Sequence, residues 1–147
     1  MSVTLDANVL VYAANRDAPE HEAALELVER IGTGPEIAYL FWPVLMSFLR
    51  ISTHPAILPR PISPTQAAET VTVLHSQPHI RTPGEEDGFW ELFSGDPVTA
   101  SMRGNDVPDA HLVTLMRQHG VRTIYSRDRG FRRFDAIEVI DPMEDGP

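Results

Sequence analysis

The stretch that most limits what this chain can fold into lies almost at its start. Val3, Thr4 and Leu5 run straight into Asp6-Ala7-Asn8, and apolar residues then resume with Val9, Leu10 and Val11. A carboxylate at the point where a strand gives way to a helix fits a parallel sheet, whose ligands bind outside the carboxyl ends of its strands where strand order reverses. The rest of the chain keeps the same alternation. Helical spacing predicts helices over 8–14, 19–31, 43–52, 64–75 and 85–93, and a long one from Asn105 to Gly120. Strand-length runs fall at 36–40, 79–82, 121–125 and 137–140, with an irregular turn over 127–134. Ser63, Pro64 and Gln66 carry the signature of an N-cap, a first-turn proline and a capping box. Pro55, Pro59 and Pro61 keep the segment before it irregular. The helix over 43–52 is apolar nearly all round and is expected to be buried. The pattern is that of an α/β domain with a parallel sheet and helices on its faces.

Length and composition narrow the function classes. The 147 residues suit one domain spanning 1–147, with an acidic tail from about Asp141 expected to fray. No apolar run reaches the roughly 18 residues of a membrane span, and the N-terminus lacks the basic and apolar regions of a signal peptide. The absence of cysteine excludes disulfide frameworks and thiolate chemistry, so a cytoplasmic protein is the expectation. A net charge of −9 argues against nucleic-acid binding by bulk charge. All twelve basic residues are arginine, and Arg122, Arg127, Arg129, Arg132 and Arg133 cluster near the C-terminus. Guanidinium suits bidentate phosphate recognition. GC-rich codon usage accounts equally for the lack of lysine, though not for the clustering.

Three separated aspartates are the candidates for chemistry. Asp6 follows the first strand, Asp128 follows the strand over 121–125, and Asp109 opens the last long helix on the same stripe as Val113 and Met116. Each has an ordinary explanation. Asp6 or Asn8 can cap a helix, Asp109 can sit in the field of a helix N-terminus, and Asp128 can belong to the turn Ser126-Arg127-Asp128-Arg129-Gly130. Asp106 fits the capping role better than Asp109. If the two strands are neighbours, however, the three carboxylates meet. Like charges in one place need a compensating cation. All-oxygen ligation selects Mg²⁺ or Mn²⁺, and the chemistry this supports is phosphodiester hydrolysis.

Taken together, Asp6-Ala7-Asn8, the apolar helix over 41–53, Gly104-Asn105-Asp106-Val107-Pro108-Asp109-Ala110-His111-Leu112 and Ser126-Arg127-Asp128-Arg129-Gly130-Phe131 resemble a PIN domain. More closely, they look like the VapC toxins of type II toxin–antitoxin systems. The resemblance covers essentially the whole chain. It implies a PIN-like three-layer α/β/α fold around a mainly parallel sheet of about four to five strands. It also implies Mg²⁺-dependent endoribonuclease activity, a homodimer, and neutralisation by a VapB-type antitoxin. Residue by residue, it puts the catalytic and metal-binding acids on Asp6, Asp109 and Asp128, with polar partners on Asn8 and Ser126. Arg50 and Arg129 become candidates for substrate phosphate, and Arg50 alternatively for an ion pair with one of the aspartates. One position departs. Where the family often has a glutamate in the third helix, this chain has Ser47, which supplies no negative charge; Asp106 is a possible substitute.

Two other readings compete. With Ser47 weakening the site, the chain would be a PIN-fold protein that binds RNA or antitoxin with little or no turnover. A haloacid-dehalogenase-like phosphatase needs a second aspartate two residues after the first, and Asn8 stands there; no Walker-type glycine loop is present. The six histidines (His21, His54, His75, His79, His111 and His119) show no metal-ligand spacing, and Trp42 and Trp90 are expected in the core or at a dimer interface.

Overall fold

A computed structural model describes residues 2–144. Five strands form one wholly parallel sheet: β1 (Ser2–Leu5), β2 (Ile37–Tyr39), β3 (Ile80–Arg81), β4 (Thr123–Tyr125) and β5 (Glu138–Ile140), in the order β3-β2-β1-β4-β5. The chain lays down β1, β2 and β3 towards one edge and then returns to place β4 on the other side of β1. The reversal therefore falls between β1 and β4, where Leu5 is opposite Tyr125. Thr4 ties β1 to β2 on the other flank, its buried hydroxyl donating to the Tyr39 carbonyl at 2.6 Å.

Among the described residues seven helices accompany the sheet: α1 (Ala7–Ala14), α2 (His21–Thr33), α3 (Trp42–Ser52), α4 (Pro64–Ser76), α5 (Phe89–Gly95), α6 (Pro97–Ala100) and α7 (Val107–Gln118). Helix α1 packs on α2 and α3, and α7 on α5, α6 and α3. The core between them is built from Leu5, Val9, Leu10, Phe41, Leu45, Phe48, Leu115, Met116 and Ile124. Each fully buried side chain of this size contributes roughly 1.5–3 kcal/mol.

The expected capping box is present: Ser63 Oγ accepts from the Gln66 amide at 3.1 Å and Gln66 Oε1 from the Ser63 amide at 3.0 Å. Several expectations need correction. The helix expected over 85–93 starts only at Phe89, because Gly88 has φ 86° and the chain cannot turn helical before it. Helix α6 was not anticipated, although Asp96 caps it through the Val98 amide at 2.7 Å and Pro97 opens it. The turn after β4 winds into a 3-10 segment, Arg129–Arg133, pinned by buried Phe131 and Phe134. Helix α3 buries Val44, Leu45 and Phe48 but leaves Met46 49% exposed. Trp42 and Trp90 are 38% and 65% exposed and so lie outside the core. The tail is packed at its start. Asp141 and Pro142 are buried, and Asp141 Oδ1 accepts from the Met143 amide at 2.8 Å. The remainder of the expected fraying tail, from Asp145, lies outside the described residues. Among the described residues no helix is long and apolar enough to cross a membrane.

The link from α2 to β2 shows how tightly the lower edge is set. Gly34 has φ 72° and ψ −162°, a conformation essentially restricted to glycine, and a Cβ there would overlap the His79 ring. Gly32, two residues earlier within α2, has open space around it. Gly34→Ala is expected to destabilise the protein by about 1–3 kcal/mol, whereas Gly32→Ala is expected to stabilise it by roughly 0.5–1 kcal/mol. Chemical denaturation of the two variants beside the parent checks both signs.

Candidate functional site

Asp6 is the first residue beyond β1. Its amide continues the ladder by donating to the Tyr125 carbonyl at 3.0 Å, which seats its side chain over the end of β4. It occupies the N-cap position of α1 but makes no side-chain capping bond there. Instead Asp6 Oδ2 accepts from the hydroxyl of buried Ser126 at 2.9 Å. The same Ser126 Oγ accepts the amide of Asp128 at 2.9 Å. One hydroxyl thus fixes the first acid and the backbone that carries another.

Asp128 turns one oxygen back on its own chain. Its Oδ1 accepts from the Gly130 amide at 2.8 Å, capping the 3-10 segment. This is the turn role that its neighbours in sequence suggest. Asp109, in the first turn of α7, faces Arg133, whose Nη2 lies 3.4 Å from Asp109 Oδ2 and 3.6 Å from Asp106 Oδ1. Asp106 ends a 3-10 turn (Gly104–Asp106) and makes no capping hydrogen bond, so the capping role expected of it is not realised.

The carboxylates feel one another. Burial, reinforced by the charge of Asp128, pushes the Asp6 carboxyl above its ordinary range against the Ser126 hydroxyl and the amides of Asn8 and Ala7. Asp109 is pushed up to about 6, first by burial and then by the charges of Asp128 and Asp6. Arg133 opposes this shift, and Asp106 adds to it. The side chains nevertheless do not close into a cage. Among the described residues, no three carboxylate or imidazole groups stand close enough together to grip one ion as placed, and each of the three acids is engaged by a donor of its own chain.

The other candidates lie around this group or away from it. Asn8 is exposed on α1, with its amide near the Asp6 carboxylate. Ser47 is half-buried on α3. Arg50 is exposed and, among the described residues, forms no ion pair, so the alternative pairing with an aspartate is absent. Arg129 points to the tail, with Nη2 3.2 Å from Glu144 Oε1. Sequence reasoning missed Arg133 as a member of the group. In the sequence it stands only as one of the clustered arginines.

An all-parallel α/β sheet with acids gathered at its switch point is the architecture of a PIN domain, and the model of that family, described as "PIN domain", matches residues 3–137. Ribonuclease VapC48 of Mycobacterium tuberculosis is 49% identical over 145 residues, covering 97% of this chain and 99% of that protein. The crystal structure of M. tuberculosis VapC20, described as a Sarcin-Ricin loop cleaving toxin, superposes with a TM-score of 0.65 at 16% identity, over 89% of this chain and 93% of that one. A structure of VapBC2 from Rickettsia felis, bound to a DNA fragment from their promoter, gives a TM-score of 0.63 at 14% identity over 95% and 98% of the two chains. The chain belongs to the PIN-domain family and, within it, to the VapC ribonucleases.

The raised Asp109 has a consequence for stability. The folded protein holds a proton on Asp109 up to about pH 6, whereas the unfolded chain releases it near 3.8. The native state binds the extra proton, so stability falls as pH rises through this window and the full cost is present above it. Asp109→Asn removes that cost. The variant is expected to melt above the parent at pH 7.5 and to show little advantage below pH 4, as thermal melts across pH would reveal.

Proposed function

We propose that this chain is a divalent-metal-dependent endoribonuclease, a cytoplasmic homodimeric toxin that cleaves RNA and arrests translation until a VapB-type antitoxin neutralises it. The observation that carries the reading is the proximity of Asp6, Asp109 and Asp128 near the switch point, where burial first, and then the charges of Asp128 and Asp6, lift Asp109 to about 6. Carboxylates that oppose each other's ionisation favour a cation among them. The donors are oxygens throughout, which suits Mg²⁺ or Mn²⁺. Asp6, Asp109 and Asp128 would hold the ion, which when bound supplies an activated water and neutralises charge on the phosphodiester.

The remaining roles belong to the protein. Ser126 orients Asp6 through the 2.9 Å hydrogen bond and steadies the loop that bears Asp128. Asn8, at the mouth of the site, offers an amide to the scissile strand. Arg50 and Arg129 hold flanking phosphates, as guanidinium groups do well. For Arg129 this requires release from Glu144. The antitoxin reading is supported by the likeness in fold to VapBC2, and the ribonuclease reading by the 49% identity to VapC48.

A second reading is favoured by one specific feature. Helix α3 carries no carboxylate and offers Ser47 instead, and the acids as placed form no three-ligand cluster. The protein would then bind RNA or antitoxin with little turnover. Incubation of purified protein with RNA separates the two. The nuclease reading expects cleavage with Mg²⁺, none in EDTA, and a loss on the order of a hundredfold or more in Asp6→Asn. Equal cleavage by parent and Asp6→Asn ends the reading, while RNA retention without cleavage in Mg²⁺ favours the binding module.

A further inference from the structure

Helix α5 sits on the molecule without being packed into it. None of its residues is fully buried. Of its large apolar side chains, Phe89, Trp90, Leu92 and Phe93, only Phe89 packs against the core among the described residues. The helix is nevertheless held firmly on α7. The Gln118 carboxamide accepts from the Glu86 amide and donates to the Glu86 carbonyl, both at 3.1 Å, and His111 Nε2 meets Glu85 Oε1 at 2.6 Å. From that base a ladder of rings climbs outwards. Phe89 meets the His111 ring edge-on at 5.5 Å, and Phe93 stacks on Phe89 at 6.1 Å. Trp90 stacks in turn on Phe93 at 5.8 Å, with the ring planes 12° apart. At the end of the ladder Trp90 is 65% exposed.

Acids frame this indole. Glu85 is engaged by His111 and Asp96 by Arg117, but the exposed Asp87 and Glu91, on either side of Trp90 in sequence, form no ion pair among the described residues. An indole face attracts cations, and unpaired carboxylates beside it add to the same preference. The same carboxylates repel a phosphodiester chain. We propose that the Trp90–Phe93 ledge of α5, with Asp87 and Glu91, is a docking site for a basic side chain on a segment of a partner protein. Arginine suits it best, because a planar guanidinium lies flat on an aromatic ring while its N–H groups reach carboxylates at the edge. The ring is fixed before the partner arrives, so little side-chain freedom is lost on binding. The site draws on none of Asp6, Asp109 and Asp128 and on no bound ion. An indole that merely covered Phe93 would affect stability and bind nothing.

Random peptides displayed on phage, selected on the parent and counter-selected on Trp90→Ala, test this without any assay of cleavage. The enriched peptides are expected to carry arginine or lysine. By fluorescence anisotropy they are expected to bind Trp90→Ala, and the double variant Asp87→Asn with Glu91→Gln, on the order of tenfold more weakly than the parent. No enrichment over the counter-selection, or enriched peptides that are acidic or purely apolar, overturns the proposal. Saturable quenching of Trp90 emission by a single-stranded oligoribonucleotide, read in Trp42→Phe, makes the ledge a nucleic-acid site and also overturns it. A parental dimer that Trp90→Ala turns into monomers in sedimentation does the same, since a second copy then covers the ledge. Should Trp90→Ala fail to fold, the double variant replaces it in the counter-selection and the same outcomes decide.

Discussion

The site depends on the parallel pairing of β1 with β4. These strands are separated by more than a hundred residues, yet their register puts Leu5 opposite Tyr125 and carries Asp6 one step further, onto the Tyr125 carbonyl. From there a single hydroxyl does the local ordering. Ser126 donates to Asp6 and accepts from the Asp128 amide, both at 2.9 Å. A hydroxyl can do both at once because it has one proton and two lone pairs. Alanine at this position would take the hydroxyl donor from Asp6 and the acceptor from the Asp128 amide. Asp6 and Asp128 are therefore placed by backbone register and one buried side chain, while Asp109 is brought up by the first turn of α7.

Charge balance is the second constraint. A chain of net charge −9 has brought four carboxylates, Asp6, Asp106, Asp109 and Asp128, to one end of its sheet. Stability alone would favour separating or neutralising them, and the upward shifts of Asp6 and Asp109, caused first by burial and then by neighbouring charge, run in that direction. Local features that oppose the stability of a fold are expected where function has been built in. Arg133, stacked over the Phe134 ring, offsets part of the imbalance through Asp109 and Asp106.

Much of this was legible in the chain because the signals are local. An acid straight after an apolar run marks a strand end, and the serine–proline–glutamine spacing of residues 63, 64 and 66 specifies a capping box whatever surrounds it. The alternation of elements likewise implied a parallel sheet. What could not be read locally was adjacency. Whether Asp6 and Asp128 meet depends on β4 pairing with β1, and periodicity carries no information about which strands pair. Asp106 was expected to cap α7 from its position in sequence, but its backbone already turns helical there and its side chain is drawn to Arg133. Arg133 was hidden within a run of arginines. A faint signal did exist: Phe131 and Phe134 are three apart, the spacing that eclipses side chains on a 3-10 turn, and together they anchor the segment from which Arg133 reaches back.

Ser47 changes how such a site must work. With no carboxylate from α3, the anionic donors come from strand ends and from the start of α7, and an ion would have fewer formal charges to satisfy it. A smaller donor set has to be better organised to achieve the same grip, since every side chain immobilised on binding costs entropy. The contacts that supply this organisation are already made: the Ser126 hydroxyl on Asp6, and the Gly130 amide on Asp128 Oδ1. Of Asp6, Asp109 and Asp128, Asp109 is the one without such a bond to a neutral donor among the described residues, holding the guanidinium of Arg133 at 3.4 Å. It is also the acid lifted to about 6. Of these three, the least anchored carboxylate and the most perturbed one are therefore the same residue, because burial and the charges of Asp128 and Asp6 act where only Arg133 answers them.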